Sequence, residues 1–212
     1  TYCIMAIEFE KTAYPGNMDA FWRKEVKMLP GGFAMKQTFP VGEVIHRGAF
    51  VAADVDSMEA AVVKIGKVYA GGTTTKPRVS KKNYFCIGDT VMKLGVSKSS
   101  PSISAIDRSN PDYDVLTLSE AISGLSEGDF LQEATPYQAS AGETPAVDAS
   151  PKYVANAVLG ADLEIKKNGL PTIDAGYDAI LLKSVCTPFP ASWLVENGFC
   201  LKANPNILII NQ

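Results

Sequence analysis

The chain has 212 residues, of which 46% are hydrophobic and 20% are charged, and its formal net charge is -3 at pH 7. This length is enough for one large domain or two small ones with a buried core, and the composition is that of a globular protein and not of a disordered one. The small net charge excludes a strong electrostatic attraction to nucleic acid or to an anionic membrane.

Residues 1–32 are predicted to form an N-terminal arm and a short amphipathic helix. Asn17 is placed to cap a helix that begins at Met18, and Pro30–Gly32 would end it. The apolar face of this helix has to be buried, either on the chain's own sheet or on another protein, because aromatic residues and Met are enriched at interface cores. We therefore predict a protein interface that includes Met18, Phe21, Trp22, Val26, Leu29 and Phe33.

Residues 33–134 are predicted to form a β-barrel core. From Phe33 onwards the apolar residues follow the period of strands, and within residues 83–134 four short runs are rich in aromatic and β-branched side chains. Each run is bounded by Gly, Pro, Ser, Asn or Asp, which is the pattern of short strands in a twisted or closed sheet. The fold class expected is mainly β: a small β-barrel or β-sandwich core with one or two short helices and extended arms.

An apolar residue, a glycine and an acid follow one another at residues 41–43 and 87–89, and Glu127–Asp129 is a third, weaker repeat of this pattern, with a glutamate in the first position. Glycine supplies the backbone freedom that a tight turn needs, and the acid is expected to keep the turn in water. Three such corners favour a closed or nearly closed sheet.

The rest of the chain divides at residues 135–151, a connector rich in Pro, Gly and Ser. Connections of this length are uncommon inside compact domains and tend to be extended arms or binding loops. Residues 152–212 return to strand patterns and are predicted to complete or extend the core. They include one predicted short helix, Pro190–Gly198, and an apolar final strand at Ile207–Ile210.

The charges are distributed unevenly along the chain. Residues 51–100 carry eight Lys/Arg and four Asp/Glu, and residues 101–150 carry one and nine, so the two blocks have net charges of +4 and -8. Either neighbouring strands of one barrel present complementary surfaces, or the acidic block meets a partner or a neighbouring subunit.

The residue types that catalysis or metal binding would need are scarce. His46 is the only histidine, and the four cysteines form no CxxC pair, so buried free thiols in a reducing cytoplasm are expected. Asp107, Asp112 and Asp114 surround an Asn-Pro turn and could offer oxygen ligands to calcium, but their spacing differs from that of the twelve-residue calcium loop. The sequence therefore predicts no enzyme, no catalytic residue, no metal and no cofactor.

Taken in order, several short motifs resemble the head fibre and capsid decoration proteins of tailed bacteriophages, in particular those of phages of Bacteroides-like hosts. The resemblance covers roughly residues 31–210 and is carried by Gly31–Phe33, Phe39–Gly48, Val62–Lys64, Gly71–Val79, Phe85–Asp89 and Gly128–Leu131.

This resemblance implies a non-enzymatic structural protein on the outer surface of the virion, assembled in the host cytoplasm. It implies binding to the major capsid protein and a homo-oligomer, with a trimer favoured, and it implies no direct contact with nucleic acid or membrane. An alternative is a carbohydrate-binding or adhesin module that recognises a host-surface glycan. Its aromatic platform would come from residues such as Trp22, Tyr113, Tyr137, Tyr153 and Trp193.

Overall fold

The structure is a computed structural model and describes residues 27–29 and 32–211. It is mainly β, with 40% strand and 2% helix, and its curled sheets include a half-barrel, so the predicted fold class is confirmed. The strands of the described residues are β1 Lys27–Met28, β2 Phe33–Met35, β3 Val44–Ile45, β4 Phe50–Asp54, β5 Glu59–Val62, β6 Ile65–Tyr69, β7 Arg78–Ser80, β8 Val91–Lys93, β9 Ile103–Asp107, β10 Tyr113–Leu118, β11 Phe130–Thr135, β12 Ser150–Pro151, β13 Ala157–Leu159, β14 Leu163–Glu164, β15 Thr172–Ile173, β16 Ala175–Leu182 and β17 Ile207–Ile210.

Two sheets account for most of these strands. Sheet I has the order β1-β16-β13-β4-β5-β2-β15, with β17 also paired to β16. Sheet II has the order β12-β11-β6-β7-β10-β9, with β8 also paired to β11, and these strand pairs are all antiparallel. In sheet I the pairs β2–β5 and β16–β17 are parallel. Strands β3 and β14 form a separate two-stranded sheet.

The chain crosses from sheet I to sheet II at Val63–Lys64, between β5 and β6, and returns to sheet I at β13. Sheet II is therefore inserted between the two halves of sheet I. The segment 152–212 contributes β13, β15, β16 and β17 to the sheet that β2, β4 and β5 begin. This pairing joins the C-terminal segment to residues 33–62, whereas residues 65–151 supply sheet II.

Each face of sheet I is covered by its own hydrophobic cluster. Successive side chains of a strand point to opposite faces, so neighbouring residues pack in different clusters. Phe50 packs in one hydrophobic cluster with Val158 and Leu181, and its neighbour Val51 packs in a second cluster with Phe33. Sheet II encloses a third cluster, in which buried Phe85 and Leu116 lie. Three of the four strands predicted within residues 83–134 are found almost as expected, as β9, β10 and β11, and β8 is shorter.

The end of the predicted N-terminal helix is wrong. Lys27–Met28 form strand β1, which pairs antiparallel with β16 in the register Lys27↔Asp178 and Met28↔Gly176. Backbone groups along an unpaired strand attract a further strand, and Lys27 Nζ adds an ion pair to Asp178 Oδ2 at 3.0 Å. The rest of that helix, Met18 to Val26, lies outside the described residues.

The predicted helix at Pro190–Gly198 is also too long. Only Ala191–Trp193 form a single turn of 3-10 helix, and Leu194 is already extended, with φ -86° and ψ 152°. The chain leaves the helix because Leu194 forms a β-bridge with Leu201, so the turn at Asn197 closes a hairpin instead of ending a helix.

Candidate functional site

Of the predicted interface residues, Leu29 and Phe33 lie within the described part of the chain. Phe33 is 1% exposed and belongs to the hydrophobic cluster on one face of sheet I. Leu29 is half-buried and packs against the same cluster. Phe33 therefore offers no surface to a partner. Met18, Phe21, Trp22 and Val26 lie outside the described residues.

The three glycine–acid corners adopt the same turn. In each corner the acid's N–H donates to the carbonyl three residues earlier, and the glycine has a positive φ, as position three of a type II turn requires. The corners are Pro40–Glu43 (3.1 Å, Gly42 φ 87°), Cys86–Asp89 (3.1 Å, Gly88 φ 92°) and Ser126–Asp129 (3.2 Å, Gly128 φ 89°). The role predicted for the glycines is confirmed.

The role predicted for the acids of these corners is wrong. Their side chains do not stay in water: those of Asp89, Asp129 and Glu43 are 13%, 24% and 20% exposed, and each pairs with a cation. Asp129 accepts from Lys93 at 2.7 Å, and Glu43 accepts from Arg108 at 2.7 Å. A partly buried carboxylate is stabilised by such a partner. Each corner is therefore joined to a distant part of the chain by the ion pair of its acid.

A cluster of charged side chains is buried where the chain passes from sheet I to sheet II. Lys64 Nζ lies 2.9 Å from Asp89 Oδ1, 2.7 Å from Asp89 Oδ2 and 4.0 Å from Glu133 Oε2. The side chains of Lys64 and Glu133 are 3% and 5% exposed. We call Lys64, Asp89 and Glu133 the Lys64 cluster.

Neighbouring groups fix the carboxylates of the Lys64 cluster. Glu133 Oε1 accepts from Lys152 Nζ at 2.7 Å, and Glu133 Oε2 accepts from Gln37 Nε2 at 3.0 Å. Asp89 Oδ2 accepts from the Cys86 backbone N–H at 2.7 Å. The Phe39 ring centroid lies 4.9 Å from Lys64 Nζ. The pairing with Glu133 raises the pKa of Lys152.

Sequence analysis did not find this cluster, although one signal for it exists. Lys64 interrupts the apolar run Ala60–Ile65, whose composition predicts a buried strand. A lysine in a buried strand needs a group of opposite charge beside it, because an unpaired buried charge is unfavourable. The partners Asp89 and Glu133 lie 25 and 69 residues further along the chain, so only the fold brings them to Lys64.

The connector at residues 135–151 is an exposed hairpin. Its two sides are joined by mutual backbone hydrogen bonds between Gln138 and Val147 at 2.9 Å, and between Ala141 and Thr144 at 3.1 Å. Residues 138–148 are all exposed, whereas Ala149 is buried. We call residues 135–151 the hairpin arm. The sequence predicted an irregular connector here, serving as an extended arm or a binding loop; the paired backbone makes it a hairpin.

A pocket of about 370 Å³ lies beside the short 3-10 helix and brings Tyr153 and Trp193 together. Its lining also includes Lys202 and Gln132. Gln132 Nε2 donates to Tyr153 O at 2.8 Å, while its buried Oε1 has no hydrogen-bond partner among the described residues. The pocket therefore combines aromatic side chains with the polar residues Gln132 and Lys202. Tyr113 and Tyr137, also predicted as platform residues, do not line it.

The three aspartates considered as calcium ligands have different environments. Asp114 is 4% exposed and accepts from Lys81 at 2.5 Å and from Asn83 at 2.8 Å. Asp107 accepts from the Ser109 N–H at 2.9 Å, and hydrogen bonding to the side chain and backbone of Ser109 lowers the pKa of Asp107. Asp112 is exposed. Among residues 27–29 and 32–211, no group of three or more His, Cys, Asp or Glu could hold a metal ion.

His46 and the described cysteines take part in packing. Burial lowers the pKa of His46, and nearby Asp162, whose Oδ1 lies 3.5 Å from Nδ1, partly opposes the change. Cys86, Cys186 and Cys200 are free thiols; Cys186 is buried, as predicted, whereas Cys86 and Cys200 are half-buried. Burial raises the pKa of Cys186 to about 12, which makes its thiolate scarce at neutral pH.

The uneven charges are paired within the chain. Lysines of the basic block contact acids of the acidic block in four ion pairs: Lys64–Glu133, Lys81–Asp114, Lys93–Asp129 and Lys98–Asp148. This arrangement supports the first interpretation of the sequence, complementary surfaces within one chain.

In the described part of the chain, no helix has the length and apolar character needed to cross a membrane. No protein family, no curated protein and no solved structure matches this chain.

Proposed function

We propose that the chain is a non-enzymatic structural protein of a phage virion, a capsid decoration or head fibre protein that binds the major capsid protein on the outside of the head. The resemblance of its ordered motifs to such proteins supports this function. The structural observation that carries the proposal furthest is the hairpin arm, because it is ordered by its own hydrogen bonds and has eleven successive exposed residues, 138–148.

An isolated two-stranded hairpin is only marginally stable in water and needs a packing partner for independent stability. Residues 138–148 are all exposed within this chain, so this surface is open to a partner from another molecule. Val147, 52% exposed, supplies an apolar contact and Glu143 supplies charge, whereas Asp148 is already held by Ser97 and Lys98 of this chain. A capsid shell presents a repeated surface to which such an arm can bind once per subunit, and an oligomer would bind through several arms at once.

Co-sedimentation with capsids tests this function. The capsids would be those of the phage that carries the gene, and the variant Val147→Asp would be compared with the wild type. A charge on an apolar contact should weaken binding at least tenfold, which corresponds to about 1.4 kcal/mol.

Val55→Asp is the matched control, because Val55 is 58% exposed on the turn between β4 and β5. This control should bind like the wild type. Wild-type protein that stays in the supernatant with excess capsids would contradict the proposed function, and equal binding by Val147→Asp and the wild type would contradict the role of the arm.

The pocket beside Trp193 favours a second candidate function, recognition of a host-surface glycan. Aromatic rings and a few polar groups are features of small-molecule sites, and the pocket lining provides both, with Tyr153 and Trp193 beside Gln132 and Lys202. Binding on a glycan array that Trp193→Ala abolishes would support this candidate.

Phe199→Ala is the control for that experiment, because Phe199 is 56% exposed and does not line the pocket. Trp193 packs edge-to-face on Phe50 at 5.4 Å, so the thermal unfolding of each variant has to be measured beside its binding. An array without specific binding by the folded wild type would exclude the second candidate.

A further inference from the structure

We propose that the Lys64 cluster forms an intramolecular amide cross-link between Lys64 Nζ and Asp89 Cγ, with Glu133 carrying the proton. This self-modification does not depend on the proposed function. It rests on three features of the cluster: an amine in contact with both oxygens of a carboxyl group, a second carboxylate beside that amine, and exclusion of water.

The first feature is the position of the amine. Lys64 Nζ lies 2.9 and 2.7 Å from the two oxygens of Asp89, so the carbon that joins them is within reach of the nitrogen. Reacting atoms in a near-attack arrangement are about 3–3.5 Å apart, and holding them there removes much of the entropic barrier. The fold fixes both partners, since Lys64 lies between two strands and Asp89 closes a turn.

The second feature is the set of groups around the reacting carboxyl. The Cys86 N–H donates to Asp89 Oδ2 at 2.7 Å and would stabilise negative charge on this oxygen in the tetrahedral intermediate. Glu133 Oε2, 4.0 Å from Lys64 Nζ, is placed to take a proton from the attacking amine. Gln37 and Lys152 act as positioning residues by holding the two oxygens of Glu133.

The third feature is burial. Taken as whole residues, Lys64 is 2% exposed and Glu133 is 4% exposed, so little water reaches the amine. Burial strips water from both ions of the pair, which is unfavourable, and conversion of the pair to a neutral amide removes that penalty. A proton transfer from ammonium to carboxylate first gives the neutral amine and the carboxylic acid, which are the forms that react.

The reaction balances without a further reagent. The lone pair of Nζ forms a bond to Asp89 Cγ, and the bond from Cγ to Oδ1 then breaks. Glu133 accepts a proton from the nitrogen and returns it to the leaving oxygen, so that one water molecule departs. Oδ2 becomes the amide oxygen and keeps its hydrogen bond from Cys86. No electrons are gained or lost.

The corner at Asp129 provides an internal comparison. It repeats the turn, the backbone donor to the carboxylate (Ser126 N–H, 2.7 Å) and the contact with a lysine (Lys93, 2.7 Å). The Lys93 and Asp129 side chains are, however, 18% and 24% exposed, against 3% and 13% for Lys64 and Asp89. We expect no cross-link at this more open corner.

Intact mass spectrometry of the purified, denatured full chain tests the proposal. The wild type should weigh less than its sequence by one water molecule, and trypsin should cut after Lys93 but not after Lys64. Peptide mapping should recover the two segments that contain Lys64 and Asp89 joined to each other. Folded wild-type protein with the full sequence mass and normal cleavage after Lys64 would overturn the proposal, and this measurement needs no variant.

Three variants assign the roles of the residues, with circular dichroism as the check on folding. Lys64→Met should have its full sequence mass. Asp89→Asn should lose one ammonia molecule in place of water, because the amide nitrogen is then the leaving group. Glu133→Gln should keep its full mass while remaining folded, and loss of water by this variant would overturn the role of Glu133. Lys81→Met, at the separate pair with Asp114, should still lose one water molecule.

Discussion

His46 gives a prediction for the pH dependence of stability. Its pKa in the folded state is below the ordinary value of 6.5, so the folded protein binds a proton less readily than the unfolded chain. The stability that neutral His46 contributes is therefore complete above the unfolded pKa and is lost as the pH falls through the folded pKa.

The comparison is between the wild type and His46→Asn, by chemical denaturation at about pH 7.5 and about pH 5.5, on either side of the histidine's ordinary range. The wild type should lose more unfolding free energy between these pH values than the variant does. Equal losses would contradict the inferred direction of the pKa shift.

The glycines at positions 42, 88 and 128 were predictable from the sequence, because a glycine beside an acid at the edge of a strand pattern is typical of a turn with positive φ. The ion pairs of the acids beside them were not predictable. Their partners Lys64, Lys93 and Arg108 are distant in sequence, and a local pattern cannot distinguish an acid in water from an acid in an ion pair.

At the scale of elements, period and turn chemistry predicted most of sheet II but assigned two segments wrongly to helices: Lys27–Met28 of sheet I, and the end of Pro190–Gly198. Strands β9, β10 and β11 followed from alternation and flanking turn residues. Lys27–Met28 read as the end of a helix, yet pairing with β16 makes it a strand. Local propensity is a weak guide where a neighbouring strand supplies hydrogen bonds. For the pocket at Trp193, the sequence suggested aromatic residues that could bind a glycan, but not that Tyr153 and Trp193 would line one pocket while Tyr113 and Tyr137 would not.

Strand β17 gives a prediction about packing within one element. Ile207 is fully buried in a hydrophobic cluster of sheet I, whereas Ile210 in the same strand is half-buried. Ile207→Ala should lower the free energy of unfolding by about 2–5 kcal/mol, because it removes buried methyl groups and leaves a cavity. Ile210→Ala is the matched control and should cost less than half as much in the same urea titration. Equal costs would mean that the cluster is not packed as described.

For the molecule as a whole, the insertion of sheet II into sheet I explains how distant charges are brought together. The chain leaves sheet I at Lys64 and returns at β13, and Glu133 of β11 links both sheets through Gln37 and Lys152. The sequence predicted the mainly β class and an irregular connector at residues 135–151, but not the hairpin that this connector forms. The division into two sheets depends on pairings between residues 33–62 and 157–173, which no local pattern encodes.

The internal pairing of the two charged blocks predicts how association responds to salt. Because four ion pairs between the blocks lie within one chain, the blocks are not needed to join subunits. The mass in solution, measured by light scattering, should be the same at about 0.05 M and about 1 M salt, although the Debye length falls severalfold. An oligomer that dissociates as salt is added would show that the acidic block contacts a neighbouring subunit.

An image of the particle tests the proposed function most directly. Electron cryomicroscopy at low resolution would compare phage heads assembled with and without this chain. We expect additional density on the outer surface of the capsid, repeated with the lattice and contacting the major capsid protein. Heads that are identical in the two preparations, or extra density confined to the inside of the shell, would contradict the proposal.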